Sequence, residues 1–323
     1  MKKILLLVFF ANAIFGAQDL EKLYLEKGIT AVRDAIEINL QNKAHWEEKL
    51  APQDLKYGYY ERPTFITVVD KTAKKIAAFK FENGKLSKLS SNEVLTGLMG
   101  DKLKEGDLKT PVGTYEVTRK FTPSDRYYGP VAWSLSYPNV YDKVRHRDGG
   151  GIWIHGYPMD GNVREDTIKT KGCVVMKNDL LTKYEKLVGE NKGGVVLINE
   201  KGVKEASNAQ IAAIFAELFK WKMAWTISDA NAYLSFYDKD FTRFDGMKMG
   251  RFAEMKKQIF SRKENKFISF TNFVITPYPS TEKGDFFRVT FNEKYLTQSY
   301  QFEGVKTLYV RLDGSKMKIL VEE

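Results

Sequence analysis

Apolar positions change their spacing from one stretch of the chain to the next. Lys2 and Lys3 are followed by an apolar run from Ile4 to Phe15, which ends at Gly16-Ala17. A charged start, a short apolar stretch and small residues predict a secretory signal peptide over 1–17. The run is too short for a comfortable membrane span. From residue 18 the period becomes helical: Leu20, Leu23, Tyr24, Ile29, Val32, Ile36 and Leu40 recur with charges between them. That spacing predicts an N-terminal helical arm over 18–60, broken near Gly28 and packed on a domain.

From Pro63 the period shortens to that of strands. Phe65 to Val69 and Lys75 to Phe81 are strand signals, and Asn83-Gly84 is a hairpin turn. Gly97, Gly100, Pro111 and Gly113 punctuate further turns. Short strands and glycine-rich turns predict a small β-sandwich or a β-rich α+β domain over 61–200. Glu200-Lys201-Gly202 reads as a boundary. Beyond it, 208–224 has helical spacing, Ala232 to Phe241 reads as a second, aromatic helix, and Met247, Met249, Phe252 and Met255 as a third. Strand signals follow at Phe267–Phe270, Asn272–Ile275, Phe286–Phe291 and Thr307–Leu312. The fold class is therefore α+β, with a second domain over 201–323.

Composition changes this picture little. With 323 residues and 43% apolar content, the chain has room for two packed domains. The net charge of +10 fits a solvated lysine surface or a polyanionic polymer of the cell envelope. An exported chain without a recognisable nucleic-acid module is not expected to bind nucleic acid, nor a membrane once the signal is removed. The expected location is the periplasm.

The candidate chemistry lies between Gly150 and Met176. Cys173 is the single cysteine of the chain, so in an oxidising compartment it has no partner. Such a thiol is either buried and inert or free because it is used. Gly172 precedes it and Val174-Val175-Met176 follow. His155 lies eighteen residues earlier, after Ile152-Trp153-Ile154 and before Gly156. A histidine can raise the thiolate fraction of a cysteine, and a third group usually orients that histidine. The three histidines (His45, His146 and His155) form no HExxH pattern. No metal or other cofactor is expected.

The block Thr110-Pro111-Val112-Gly113-Thr114-Tyr115, then His155-Gly156, then Gly172-Cys173, resembles the L,D-transpeptidase (YkuD-type) catalytic domain. The likeness runs from about Pro63 to Asn199. Ser136-Tyr137-Pro138-Asn139, Asp142 and Gly151–Gly156 resemble the hydrolytic branch of that family. The chain order is similar to the periplasmic cell-shape L,D-carboxypeptidases of helical Gram-negative bacteria. The C-terminal part, with its YLSFYxxDF segment, resembles an NTF2-like domain, whose pocket would be a candidate site for a glycan or peptide ligand.

The resemblance implies murein stem peptides as substrate, Cys173 as nucleophile and His155 as base, oriented by the backbone carbonyl of Gly156. It implies oxyanion donors at the Cys173 N–H and at Gly172 or Lys171. Substrate contacts are expected at Trp133, His146, Tyr157 and Thr170. Cross-linking members carry an arginine two residues after the cysteine and a serine-histidine pair before its glycine. Here those positions are Val175, Thr170 and Lys171. The expected reaction is thus removal of the terminal D-alanine from tetrapeptide stems. A transpeptidase that forms murein cross-links or attaches proteins to murein, and a non-catalytic murein-binding module, are the alternatives.

Overall fold

A computed structural model of the chain describes residues 17–160 and 170–323. The signal peptide expected over 1–17 lies outside the described residues, apart from Ala17. Two helices come first, α1 (Ala17–Leu40) and α2 (Lys43–Leu50). Inside α1, Gly28 sits at φ 78° and ψ 179°, so two helical segments meet there at a kink. A residue without a Cβ adopts that conformation at little cost. The Asn42 side chain accepts from the Ala44 N–H and starts α2. Trp46 of α2 stacks on Phe215 at 4.1 Å and ties the arm to the C-terminal half.

The next elements are β1 (Tyr59–Tyr60), β2 (Thr64–Asp70), β3 (Lys75–Glu82), β4 (Lys85–Glu93), β5 (Gly113–Phe121), β6 (Ala132–Leu135), α3 (Val140–Lys143), β7 (Trp153–Gly156), β8 (Val174–Met176), α4 (Asn178–Val188) and β9 (Val195–Asn199). All the strands except β1 form one sheet, in the order β4-β3-β2-β9-β5-β6-β7-β8. Asn83 and Gly84 both have positive φ, 51° and 75°, as a tight β3–β4 hairpin turn requires. Helix α4 covers one face with Leu181, Tyr184 and Val188, above a core of Val69, Tyr115, Ile154, Val174 and Val196. The opposite face of β7 is left for chemistry.

The C-terminal half contains α5 (Asn208–Thr226), α6 (Ala230–Leu234), β10 (Tyr237–Arg243), α7 (Met249–Ser261), β11 (Phe267–Pro277), β12 (Asp285–Leu296), β13 (Gln301–Asp313) and β14 (Lys316–Glu322). Its sheet runs β1-β11-β12-β13-β14-β10, so β1, from the N-terminal arm, supplies an edge strand. A Ser207–Gln210 capping box starts α5, whose largely apolar length is buried.

Two sequence expectations differ from this half. The aromatic helix expected over Ala232 to Phe241 stops at Leu234 and gives way to β10. Tyr237 and Phe241 are four apart, a spacing that puts them on one face of a strand as well as a helix. The two strand signals at Phe267–Phe270 and Asn272–Ile275 are one strand, β11. Asn272, at φ 58°, introduces a bulge, and pairing resumes with a shifted register.

The two halves meet beside α3. Thr114 Oγ1 donates to the Pro277 carbonyl at 2.8 Å, and Asn139 Nδ2 donates to the Tyr278 hydroxyl at 3.1 Å. The rings of Tyr141, Tyr278 and Tyr309 pack between them. Among the described residues no helix is long and apolar enough to cross a membrane.

Candidate active site

Strands β7 and β8 run parallel, with His155 opposite Val175. Side chains alternate along a strand, so Trp153 and His155 share one face. Cys173 stands one residue before β8 and two before Val175, diagonal to His155. Both side chains line a cleft of about 660 Å³, a volume typical of small-molecule sites.

His155 is buried, and its Nδ1 lies 2.8 Å from the Gly156 carbonyl. A carbonyl only accepts, so Nδ1 carries the proton and Nε2 keeps the lone pair. Gly156 has no room for a side chain: a Cβ would stand 2.2 Å from Asn178 Oδ1. Asn178 Nδ2 donates to the Tyr157 carbonyl at 3.1 Å and steadies the next peptide. The Tyr128 ring lies edge-on to His155 at 5.1 Å and to Trp153 at 5.0 Å.

Burial pushes His155 down to about 4, against the Gly156 hydrogen bond. Burial also pushes the Cys173 thiol up to about 11, against the Trp153 backbone and the Lys102 charge. Burial thus favours the neutral form of both His155, expected to raise the thiolate fraction, and Cys173. The resting pair is a neutral thiol beside a neutral imidazole. Cys173 Sγ lies 3.4 Å from the Gly151 carbonyl, to which its S–H donates.

The turn before Cys173 is tightly specified. Gly172 has φ 125°, and a Cβ there would meet the Lys109 carbonyl at 2.8 Å. The Thr170 hydroxyl accepts from the Gly172 N–H at 3.1 Å and donates to the Cys173 carbonyl at 2.6 Å. Gly172, an expected oxyanion donor, thus already spends its N–H on Thr170. The N–H groups of Cys173 and Lys171 remain from the expected set.

The cleft brings together Tyr157, Thr170 and Lys171 with Cys173, His155 and Gly156. It does not include Trp133 or His146, both expected to touch substrate. Trp133 pairs with Ile154, so alternation turns it to the face opposite His155. There it is fully buried, donates to the Gly189 carbonyl and packs edge-on against Tyr184. His146 sits exposed in the turn after α3 at φ 59°, away from the cleft.

Sequence reasoning missed Tyr128, Asn178 and the buried ion pair of Lys102 with Asp107 at 2.9 Å. It also missed Arg147, held between Asp101 at 2.7 Å and Asp142 at 3.0 Å behind the cleft wall. The charged residues of the 101–107 loop stand in the sequence, but Arg147, the partner of Asp101, lies some forty residues on. Among the described residues no group of three or more His, Cys, Asp or Glu could hold a metal ion.

The L,D-transpeptidase catalytic domain family matches residues 64–198, and the Cds6 C-terminal NTF2-like domain family matches residues 213–323. The chain is similar to the helical cell shape determining protein Pgp2 from Campylobacter jejuni. Identity is 48%, coverage is 88% of this chain and 100% of that one, and the TM-score is 0.83. Bd1075 from Bdellovibrio bacteriovorus has the same fold at 24% identity, with 84% and 97% coverage and a TM-score of 0.64. A 62-residue stretch is 37% identical to the Escherichia coli protein YafK, whose name assigns it to the L,D-transpeptidases. That match takes in 19% of this chain and 24% of YafK, so the chain spans about a quarter of that curated relative.

Proposed function

We propose, from the premise that this chain belongs to the L,D-transpeptidase family members carrying a C-terminal NTF2-like domain, that it is a murein L,D-carboxypeptidase. Its substrate is the tetrapeptide stem, and its products are the tripeptide and free D-alanine. Like the relative named for cell shape, it would act on the cell wall in the periplasm. The observation that carries the reading is one cleft holding the Cys173 thiol and an imidazole whose Nδ1 is committed to Gly156. Such an imidazole offers Nε2 as base.

In the first half-reaction Cys173 Sγ attacks the carbonyl at the L centre of diaminopimelate. The thiol proton passes to His155 Nε2, since the resting pair is neutral. The backbone N–H of Cys173 would stabilise the oxyanion. The C–N bond then breaks and His155 returns the proton to the departing D-alanine amine. In the second half-reaction water gives a proton to His155 and its hydroxide to the carbonyl carbon. The thioester opens and the thiol is regenerated. The test is incubation of the purified protein with tetrapeptide muropeptides, with products identified by mass. Tripeptide and D-alanine are expected; unchanged tetrapeptide would refute the reading.

Two further outcomes follow from the geometry. His155 works as base only while neutral, and with its value near 4 it is neutral across the whole range above pH 5. The acid limb of kcat/KM should lie near pH 4, well below the usual imidazole value of 6.5; a limb at 6.5 would contradict it. Stability moves with the same sign. The unfolded chain takes up this proton first, so stability falls as pH drops from 6.5 toward 4.

Thr170→Val removes both hydrogen bonds that shape the Cys173 turn while keeping side-chain volume. Losing positioning of this kind should lower kcat about tenfold with the melting temperature reduced by a few degrees. An unchanged kcat would mean that the turn holds itself.

A further inference from the structure

Close to the Cys173 thiol the cleft carries a buried ammonium group that the chemistry above leaves unused. Lys102 is 3% exposed yet forms part of the cleft lining. Its Nζ donates to Asp107 Oδ1 at 2.9 Å and to the Lys104 carbonyl at 3.0 Å. An ammonium has three N–H donors, so one is left over. Asp107 is not held by Lys102 alone. Its Oδ2 also accepts from the N–H groups of Leu103 and Lys104, at 2.8 and 3.2 Å, and its Oδ1 from Lys109 at 3.1 Å. Burial opposes its charge, but Lys102 and these backbone donors hold it down at about 2. The Asp107 carboxylate stays ionised at neutral pH and is shared among several donors, while the ammonium is one bond short.

Its position relates it to the scissile bond. The Lys102 side chain runs along Gly149, where a Cβ would stand 3.3 Å from Lys102 Cε. Cys173 Sγ contacts the carbonyl of Gly151, two residues on. Lys102 and Cys173 therefore flank the Gly149–Gly151 stretch, which lines the cleft. At Gly150 and Gly151 an added Cβ would meet nothing within 4 Å, so the space between them is open. A reacting carbonyl sits about 3–3.5 Å from its nucleophile. One further residue of extended chain spans about 3.3–3.6 Å. A carboxylate one residue beyond the scissile carbonyl thus extends from Cys173 along the cleft that Lys102 also lines.

We propose that Lys102 binds the terminal carboxylate of the departing residue and so restricts cleavage to chain ends. This rests on the carboxypeptidase reading and adds to it a specificity-determining residue. A peptide that continued past this residue, or ended in an amide, would offer the third N–H a neutral carbonyl in place of a carboxylate and lose the charge-assisted bond. A site built for a polar group rejects analogues that lack it.

The test reads binding, without turnover, on Cys173→Ala protein. Its ligands are a murein tetrapeptide as the free acid and the same tetrapeptide as its C-terminal amide. With Lys102 present, the acid should bind about 10- to 100-fold more tightly, the scale of a charge-assisted hydrogen bond. Adding Lys102→Gln should bring the ratio close to one, and Lys102→Arg should keep most of it. Because Lys102→Gln strands Asp107, the pair Lys102→Gln with Asp107→Asn serves as a second variant that swaps the ion pair for two amides. Equal binding of acid and amide by the Lys102 protein would overturn the proposal. So would a preference that survives in a folded Lys102→Gln variant. Failure of the unmodified protein to release D-alanine would instead refute the carboxypeptidase reading, and the binding ratio would still be measurable.

Discussion

Cys173→Ala is expected to reduce release of D-alanine from tetrapeptide stems to background while leaving the fold in place. The loss should be on the order of 10⁴-fold or more in kcat, the scale seen when a catalytic nucleophile is removed. No other thiol can substitute, since the chain contains no other cysteine. The structural cost is small because alanine is a similarly small apolar residue and the S–H bond it removes is long, 3.4 Å to the Gly151 carbonyl. Thermal melting should move by no more than a few degrees. Full activity in this variant would make the cysteine structural.

The second large effect is expected at His155. His155→Ala should lower kcat about 10²- to 10⁴-fold, the usual range for a general acid–base residue. Two steps depend on it: removal of the thiol proton and protonation of the departing amine. Because the thiol rests near 11 and the imidazole near 4, no preformed thiolate survives to carry the reaction alone. The residual activity of the variant should rise with pH as hydroxide ionises the thiol, and the acid limb near pH 4 should vanish. A variant that kept the parental pH profile would show that the titrating base is another group.

The sequence made the local features of this molecule legible and left the distant ones hidden. Asn83-Gly84 announced its hairpin because a two-residue turn carries its own chemistry. His155-Gly156 and Gly172-Cys173 were readable as adjacent pairs, although the contacts that require each glycine, Asn178 at Gly156 and Lys109 at Gly172, come from distant parts of the chain. Trp133 misled because an aromatic near a motif reads the same on either face of a strand, and only the pairing with Ile154 assigns the face. The Tyr237–Phe241 stretch misled because its spacing of four suits two periods. Its strand pairs with β14, the last of the chain, which no local pattern could reveal. Lys102–Asp107 and Arg147 stayed hidden because a charged loop reads as solvated until the chain folds back over it. Thr170 was named, but as a substrate contact; its two hydrogen bonds within the turn appear only in three dimensions.

The reaction class depends on what surrounds the thioester. Val175 stands where cross-linking relatives carry arginine, and it is 6% exposed, with its N–H and carbonyl both paired to Leu95 at 2.9 Å. An apolar side chain there supplies no donor fork to hold an acceptor stem. An amine must be held at near-attack distance to outcompete water. Water should therefore be the dominant acceptor. The most direct measurement is a digest of tetrapeptide donor with a large excess of acceptor stem, analysed by mass. Tripeptide and free D-alanine should account for nearly all the product; a majority of L,D-cross-linked dimers would contradict the hydrolytic reading.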